Sequence, residues 1–492
     1  MNTRTAGSHE IEADVAVVGY GGAGAAAAIT AHDNGAKVVI LEKMPAGGGN
    51  TRTSAGAIAL PTSMEAVTYF QAICFDSTEK EIVQTFVESS LRTEDWFQKI
   101  GGETTTAQGS PAFYPRVSLP TFPRVPGAEH IKTLHVSGTG TETSGEVLWK
   151  VLSTNVERRG IKVMPGTSAK ELVANKKGEI VGVAAEHSGE KLLVKAKRAV
   201  ILTCGGFEYN EAMKEAFLPC KPFHAEGSPG NTGDGIMMAQ KAGAALWHMP
   251  VVAALLGFKA PEYQASFSIR FCNEGFIYVN RRGNRFCDET GPELHDAWRV
   301  ASWVDSGEEV WSPCYPNIPA YGVFDDVTRR KGPLTRTNNP MGYNRDYKWS
   351  PDNSKEIAKG WIAQASTIRE LAGKISVDEH TLEKTVTRYN ECCKAGADTD
   401  FGRSKETARP IETPPFYAIE LWPSLLNTQG GPRRDQQARV VDYAGKPIPR
   451  LYAAGELGSI WGFLYNGGGN LAECLAFGRI AGRNAAAEKP RS

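Results

Sequence analysis

Two glycine-rich segments of this 492-residue chain have the composition and spacing to hold a phosphorylated ligand. The first is Gly19-x-Gly21-x-x-Gly24, which follows the apolar run Val15–Val18 and opens a small-residue stretch with helical character. In such a turn the first glycine allows the sharp reversal, the second lets backbone N–H groups reach a pyrophosphate, and the third brings helix against strand. A second apolar run, Val38–Leu41, ends on Glu42, 18 residues after Gly24, where a carboxylate accepts hydrogen bonds from a ribose diol and repels a 2′-phosphate. The second segment, Gly230-Asn231-Thr232-Gly233-Asp234-Gly235, opens the helix expected at 236–242 and suits close approach to a polar ligand. These residues point to a dinucleotide-dependent oxidoreductase.

The elements that position them alternate in the α/β manner. A helix is expected at 80–100, and 101–145 reads as one long irregular excursion holding Phe113, Tyr114, Phe122 and Arg124, in the style of a lid. A helix at 146–159, a strand at 161–164, a hairpin region (169–174, 180–187, 191–196) and the buried strand Ala199–Leu202 return the chain to the ligand. From about 255 to 415 the texture changes to frequent Trp, Pro and Tyr, short strands, and helices expected at 354–372 and 378–395. The return is the strand into Leu451-Tyr452-Ala453-Ala454-Gly455-Glu456, then Tyr465-Asn466-Gly467-Gly468-Gly469-Asn470 and a helix to about 488. The expected architecture is a Rossmann-like domain with a central parallel sheet, built from 1–254 and 416–492, with an α+β substrate or capping domain inserted at 255–415.

Lys+Arg and Asp+Glu balance at 55 each, so there is no electrostatic case for nucleic acid or an anionic membrane. No apolar run has the length of a transmembrane helix, and the polar N-terminus has no signal-like h-region, so the expected location is the cytoplasm. The nine cysteines contain no CxxC and no CxxCH, which argues against a dithiol flavoenzyme and against attached c-type haem. No metal site is expected. Only one dinucleotide fingerprint is complete, and both ends of the chain return to it. A tightly held FAD fits that arrangement better than an exchangeable NAD.

Seven segments together resemble the fumarate reductase and 3-ketosteroid dehydrogenase flavoproteins, with a closer likeness to the ketosteroid branch: the fingerprint, 47–58, 201–210, 230–239, 275–289, 427–435 and 451–482. The resemblance implies FAD contacts at Gly19, Gly21, Gly22, Ala23, Gly24, Glu42, Lys43, Gly48, Gly49, Asn50, Thr51, Ser54, Ala55 and Gly56. It implies further contacts at Cys204, Gly205, Gly206, Asp234, Gly455, Glu456, Asn470 and Leu471. The helix from Asn470 would aim its positive end at the flavin. The implied reaction moves a hydride between flavin and the carbon β to a carbonyl or carboxylate, with a protein group handling the neighbouring proton.

Within that resemblance, Tyr465 and the backbone N–H groups of Gly467–Gly469 are the expected clamp on the activating oxygen. Glu293 is the expected proton carrier and His295 stands two residues on, with Tyr114 and Tyr343 as fallbacks. Asn427 and Asn466 stand where fumarate reductases carry a histidine and an arginine on a substrate carboxylate, and their neutrality tilts the reading toward a ketone. Arg270 and Arg299 could instead pair with a carboxylate. The expected activity is desaturation or reduction of a CH–CH bond beside a ketone, in a 3-ketosteroid or smaller cyclic ketone. An enoate or fumarate-type enzyme and a flavin electron-transfer subunit are the alternatives. The electron donor or acceptor and the oligomeric state are not encoded legibly. Succinate dehydrogenases attach their flavin through a histidine near the segment matching 50–56, and this chain has none between His32 and His130. Denaturation in acid or detergent is therefore expected to release all the yellow chromophore; colour remaining on the protein would contradict non-covalent binding.

Overall fold

The computed structural model describes residues 9–106, 120–136, 144–269, 271, 274–290, 315, 317–335, 344 and 347–491. Its first sheet runs in the order 439–441, 447–453, 190–202, 9–18, 38–41 and 162–164, with the hairpin 167–174/180–187 attached through 190–202. The strands 447–453, 190–202, 9–18, 38–41 and 162–164 are mutually parallel, and 439–441 is antiparallel. Their central residues, such as Val15, Val17, Val200, Ile201 and Ile40, are fully buried, as expected for a parallel sheet covered on both faces. The segment expected to hold two separate strands at 191–196 and 199–202 is one continuous strand, Glu190–Leu202.

The helix Gly22–Asp33 and the C-terminal helix Gly469–Ala487 pack against each other on this sheet. Their seam is made of small residues. A β-carbon on Gly478 would lie 2.8 Å from the carbonyl oxygen of Ala23, and one on Gly482 would lie 2.3 Å from that of Ala27. The alanine run 25–28 is fully buried against them. This contact joins the two ends of the chain.

Several expectations are corrected in detail. The helix expected at 80–100 is two helices, Lys80–Ser90 and Thr93–Lys99. Residues 131–136 of the supposed irregular excursion form a strand, Ile131–Val136, between Ala57–Pro61 and Thr104–Thr105; its β-branched residues and alternation carry that signal. The helix expected at 354–372 stops at Ala358, because Gly360 takes φ +74°, and a strand at Ala363–Ala365 follows. Thr367 then caps a new helix, Ile368–Lys374, by accepting the N–H of Glu370.

A second sheet is ordered 267–268, 252–258, 416–428, 320–325 and 276–280, with 224–225 and 363–365 also paired to 416–428. The boundaries expected at 254/255 and 415/416 do not coincide with its edges. The first falls inside Val252–Phe258, and Phe416–Thr428 is the strand on which the whole sheet is assembled. Buried strands of the two sheets read alike in sequence, so composition marked the loops and not the sheet membership. The segment 285–289 braces this unit through a buried ion network. Arg285 and Arg403 both donate to Glu289, at 2.8 and 2.9 Å, and Arg285 also reaches Asp398 at 2.9 Å. Every charge there has a partner, which is the condition for tolerating them inside.

The second sheet also encloses a lone acid. Glu226 is 2% exposed and accepts hydrogen bonds from the hydroxyls of Ser268 and, at 3.3 Å, Ser424, which in turn meets Ser266 at 2.5 Å. Burial outweighs the two hydroxyl contacts and pushes its carboxyl from the ordinary 4.5 up to about 7. Below the ordinary value both folded and unfolded chains hold this proton, so the group is neutral toward stability's pH dependence. As pH rises toward 7 the unfolded chain releases it while the folded chain keeps it, and folding stability drops by about 1.4 kcal/mol per pH unit. Glu226→Gln is expected to remove a loss of roughly 3 kcal/mol between about pH 5 and about pH 8, read from denaturant unfolding at each pH. Parallel stability curves for the two proteins would place the proton elsewhere.

Candidate active site

The fingerprint residues have the geometry that their types foretold. Gly19 takes φ +104°, and a β-carbon there would lie 2.4 Å from the carbonyl oxygen of Thr203. A β-carbon on Gly24 would lie 2.1 Å from Gly19 O, so this glycine sets the helix-to-strand distance. Gly21 is different: its added carbon would meet only Gly48 O, at 3.8 Å, and faces open space. That space is a cleft bordered along the sheet by Gly19, Gly21, Gly22, Ala23 and Glu42. Gly49, Asn50, Thr51, Cys204, Gly205, Asp234, Lys43 and Glu456 close its other sides.

Glu42 is anchored where the second strand ends. Its carboxylate accepts the backbone N–H of Tyr20 and of Met44, each at 2.8 Å, leaving lone pairs for a diol. Burial raises its pKa, and these two N–H groups oppose the rise. Lys43 crosses the cleft to Asp234 at 2.6 Å and to the Thr232 hydroxyl at 2.5 Å, tying the strand to the start of the helix Asp234–Lys241. Thr51 accepts the N–H of Gly22 at 3.1 Å, which docks the 48–51 turn on the fingerprint helix. Asn50 bridges three elements: its amide nitrogen donates to Glu456 at 3.0 Å and to Leu426 O at 3.3 Å, and its oxygen accepts the N–H of Ser228 at 2.7 Å.

Other expected cofactor residues support the cleft from behind. A β-carbon on Gly56 would strike the backbone of Ser144, and Ser54 bonds Thr51 O at 2.7 Å, so 54–56 form the seat of the helix Ser144–Arg158. Gly48 takes φ +123° against Arg52, a β-carbon on Gly206 would lie 2.0 Å from Thr428 Oγ1, and one on Gly455 would meet Ala23 and Cys474. Leu471, 9% exposed, belongs to the core, and Ala55 is half-buried beside Gly56; neither lines the cleft.

The C-terminal turn departs from expectation. The N–H of Gly467 donates to Thr121 Oγ1 at 2.8 Å, and that of Gly469 to Asn466 O at 2.9 Å, so neither is presented to a substrate oxygen. The glycines are there for contact: β-carbons on Gly468 and Gly469 would lie 2.8 Å from Ala57 O and 2.3 Å from the Trp461 ring. Asn466 is likewise internal. It is fully buried, its oxygen accepts Tyr69 Oη at 2.6 Å and the N–H of Thr121 at 3.0 Å, and its nitrogen donates to Gly467 O at 2.9 Å. The expectations of a substrate contact at Asn466 and a catalytic N–H at Gly469 are therefore corrected: both hold the turn closed.

Tyr465 keeps a more suggestive place. It is 7% exposed, its hydroxyl accepts the N–H of Asn470 at 3.4 Å at the start of the 19-residue C-terminal helix, and burial pushes the phenol pKa up, so the group stays protonated. Asn470 is buried with neither side-chain amide atom bonded among the described residues, and the same holds for Gln429. Buried amides without partners are costly unless a ligand satisfies them. Asn427, 7% exposed, has no side-chain hydrogen bond among the described residues. Glu293, His295, Tyr114, Tyr343, Arg270 and Arg299 lie outside the described residues.

Sequence reasoning missed Tyr20, Thr167, Ser228, Asn231 and Cys474 as cleft-lining residues. Asn231 had a signal, since it sits in the second glycine segment; Thr167 and Cys474 lie in ordinary strand and helix text and had none. Among the described residues the cysteines are all unpaired, and no helix is long and apolar enough to cross a membrane.

The cleft fits FAD: the open face at Gly21 suits a pyrophosphate and Glu42 a ribose. Comparison with known proteins agrees. The family described as FAD binding domain matches residues 14–471. A relative named NADH:fumarate oxidoreductase, from Klebsiella pneumoniae (strain 342), is 31% identical over 96% of this chain, which spans 47% of the relative's length. A 3-oxosteroid 1-dehydrogenase of Mycobacterium tuberculosis (strain ATCC 25618 / H37Rv) is 28% identical, with 96% of this chain and 97% of that protein covered. Among solved structures, 3-ketosteroid delta1-dehydrogenase from Sterolibacterium denitrificans shares the fold with a TM-score of 0.84 at 23% identity, covering 97% of this chain and 100% of that one. The chain belongs to the FAD binding domain family and takes its place among the FAD-dependent oxidoreductases that act on CH–CH groups.

Proposed function

We propose that this chain desaturates or reduces the Cα–Cβ bond beside a ketone, in a 3-ketosteroid or a smaller cyclic ketone. The observation that carries this reading is the neutral, buried setting of Tyr465 at the start of the C-terminal helix. Bound FAD supplies the hydride exchange. Tyr465 supplies the electrophile: its protonated hydroxyl donates to the carbonyl oxygen while its own oxygen accepts the N–H of Asn470. The positive end of the helix lies at that bond and strengthens the donor as the carbonyl gains negative charge. The side chains gathered at the turn, Tyr69, Thr121 and Asn466, are uncharged, as is Asn427 on its strand. A dicarboxylate would call for arginine or lysine there.

In this proposal Glu293, with His295 near it, handles the proton at the carbon next to the carbonyl, and Tyr114 and Tyr343 are the reserves. The unit inserted at 255–415, together with the sheet it shares with 416–428, covers the substrate. A second reading is supported by the unsaturated carboxylates, fumarate among them, in the names of several relatives, the Klebsiella protein included. There the substrate is an enoate, and Arg270 or Arg299 grips its carboxylate.

Tyr465→Phe is expected to retain bound FAD and to lose about 10²-fold in turnover, the size of a lost oxyanion donor. Unchanged turnover would remove Tyr465 from the chemistry. An anaerobic substrate panel, read by flavin absorbance, separates the two readings. Saturated ketones are expected to bleach the oxidised protein, and enones to restore colour to the dithionite-reduced protein. Recolouring by enoates alone would transfer the assignment to the carboxylate reading.

A further inference from the structure

Two acids on the cleft wall have no cation beside them. Glu456 borders the cleft, and Glu208 stands directly behind it, fully buried. Both carboxyls converge on Gly206: a β-carbon built there would lie 2.8 Å from Glu456 Oε1 and 3.0 Å from Glu208 Oε1. The neighbours of Glu456 are amides, Asn50 Nδ2 at 3.0 Å and Asn231 Nδ2 at 3.5 Å. Glu208 Oε1 accepts the N–H of Thr428 at 2.9 Å, and its Oε2 is buried with no hydrogen-bond partner among the described residues.

The charged groups on the surrounding elements are already committed. Lys43 is paired with Asp234 across the cleft. Arg434, beneath the 455–457 turn, is paired with Glu473 through Nη2, and its Nη1 donates to the carbonyls of Gly455 and Leu457, at 3.3 Å each, while its Nε has no hydrogen-bond partner among the described residues. Glu42, at the far end, takes its hydrogen bonds from backbone. Cys204, Cys474 and Tyr465 face the same region, and burial holds the proton on each. Two carboxylates this close, dry and without a cation do not both ionise.

We propose that Glu208 and Glu456 share one proton in the folded protein at neutral pH, so that the wall meeting the cofactor presents a neutral carboxylic acid in place of a carboxylate. Burial and mutual repulsion both act in that direction on Glu456, and burial on Glu208. The arrangement has a use. A protonated carboxyl can donate as well as accept, whereas a carboxylate can only accept. A dinucleotide that brings its own phosphate charges, and whose ring gains electrons in the reaction, is met at the wall by a protonated Glu456, and the one negative charge left on the pair sits behind it on Glu208. The pair is thus a positioning device with a one-proton reserve, and it serves ketone and enoate readings alike.

Infrared difference spectra of the FAD-loaded protein test this directly. At neutral pH, wild type minus Glu208→Gln/Glu456→Gln is expected to show the C=O band of one protonated carboxylic acid and the bands of one carboxylate. Two carboxylates and no protonated band would overturn the proposal. Glu456→Gln alone, nearly isosteric with the protonated acid, provides a variant with little risk to folding. Its affinity for FAD, measured by titrating the apoprotein, is expected to stay level with pH. Wild-type affinity is expected to fall by up to roughly tenfold per pH unit between the pH at which the apoprotein loses this proton and the higher pH at which the band disappears from the FAD-loaded protein. Parallel pH dependence in the two proteins, or a tenfold loss of FAD by Glu456→Gln at every pH, would show that an ionised carboxylate is what the cofactor needs.

Discussion

Close backbone contact between the two ends of the chain is the constraint on which the rest depends. Gly24 sets the fingerprint helix against Gly19, and Gly478 and Gly482 set the C-terminal helix against Ala23 and Ala27, with no side chain between. Gly455 completes the seam against Ala23. Packing this close leaves no freedom to slide, because a carbon added at Gly24, Gly478 or Gly482 meets a carbonyl oxygen within van der Waals range. One consequence is that residues more than about 400 positions apart share one cleft: Glu42 and Gly21 from one end of the chain, Glu456 and Cys474 from the other. The seam brings the cofactor's phosphate end and the chemistry end into one fixed geometry.

Charge is handled by the same economy of position. Buried cations near the cleft are each neutralised by a local carboxylate, Arg434 by Glu473 and Lys43 by Asp234, and Arg434 also holds the 455–457 turn by its carbonyls. Apart from Glu42, Glu456 and the Lys43–Asp234 pair, the cleft is lined by uncharged groups such as the amides of Asn50 and Asn231, and in the proposed reading the Tyr465 hydroxyl and the helix start complete the wall. Such a wall stabilises charge that develops during a reaction more readily than charge already present on a substrate. That distinction, and not the count of polar groups, is the ground for proposing a ketone over a dicarboxylate.

Most of the fold was legible because its signals are local. The fingerprint glycines, the acid at the end of the second strand and the apolar parallel strands each announce themselves within a few residues. Sheet membership was not, since Phe416–Thr428 reads like any buried strand and only its partners 252–258 and 320–325 assign it to the second sheet. The helix expected at 354–372 failed at a single backbone angle, at Gly360. Ile131–Val136 was hidden inside a stretch whose average composition is that of a loop.

The site was harder to read, and the glycine run at 467–469 explains why. Glycine serves equally to admit a ligand and to admit another part of the chain, and sequence does not say which. At Gly21 the space beyond is open, so the glycine admits a ligand. At Gly468 and Gly469 the space is filled by Ala57 and Trp461, so it admits the fold itself. Asn466 follows the same logic: a neutral residue at a position associated with charge looked like a change of substrate, yet its amide is consumed by Tyr69, Thr121 and Gly467. The loss of a cation there still removes a carboxylate grip. It does so by turning the position into a brace, which leaves Tyr465 as the polar group that the turn holds in place.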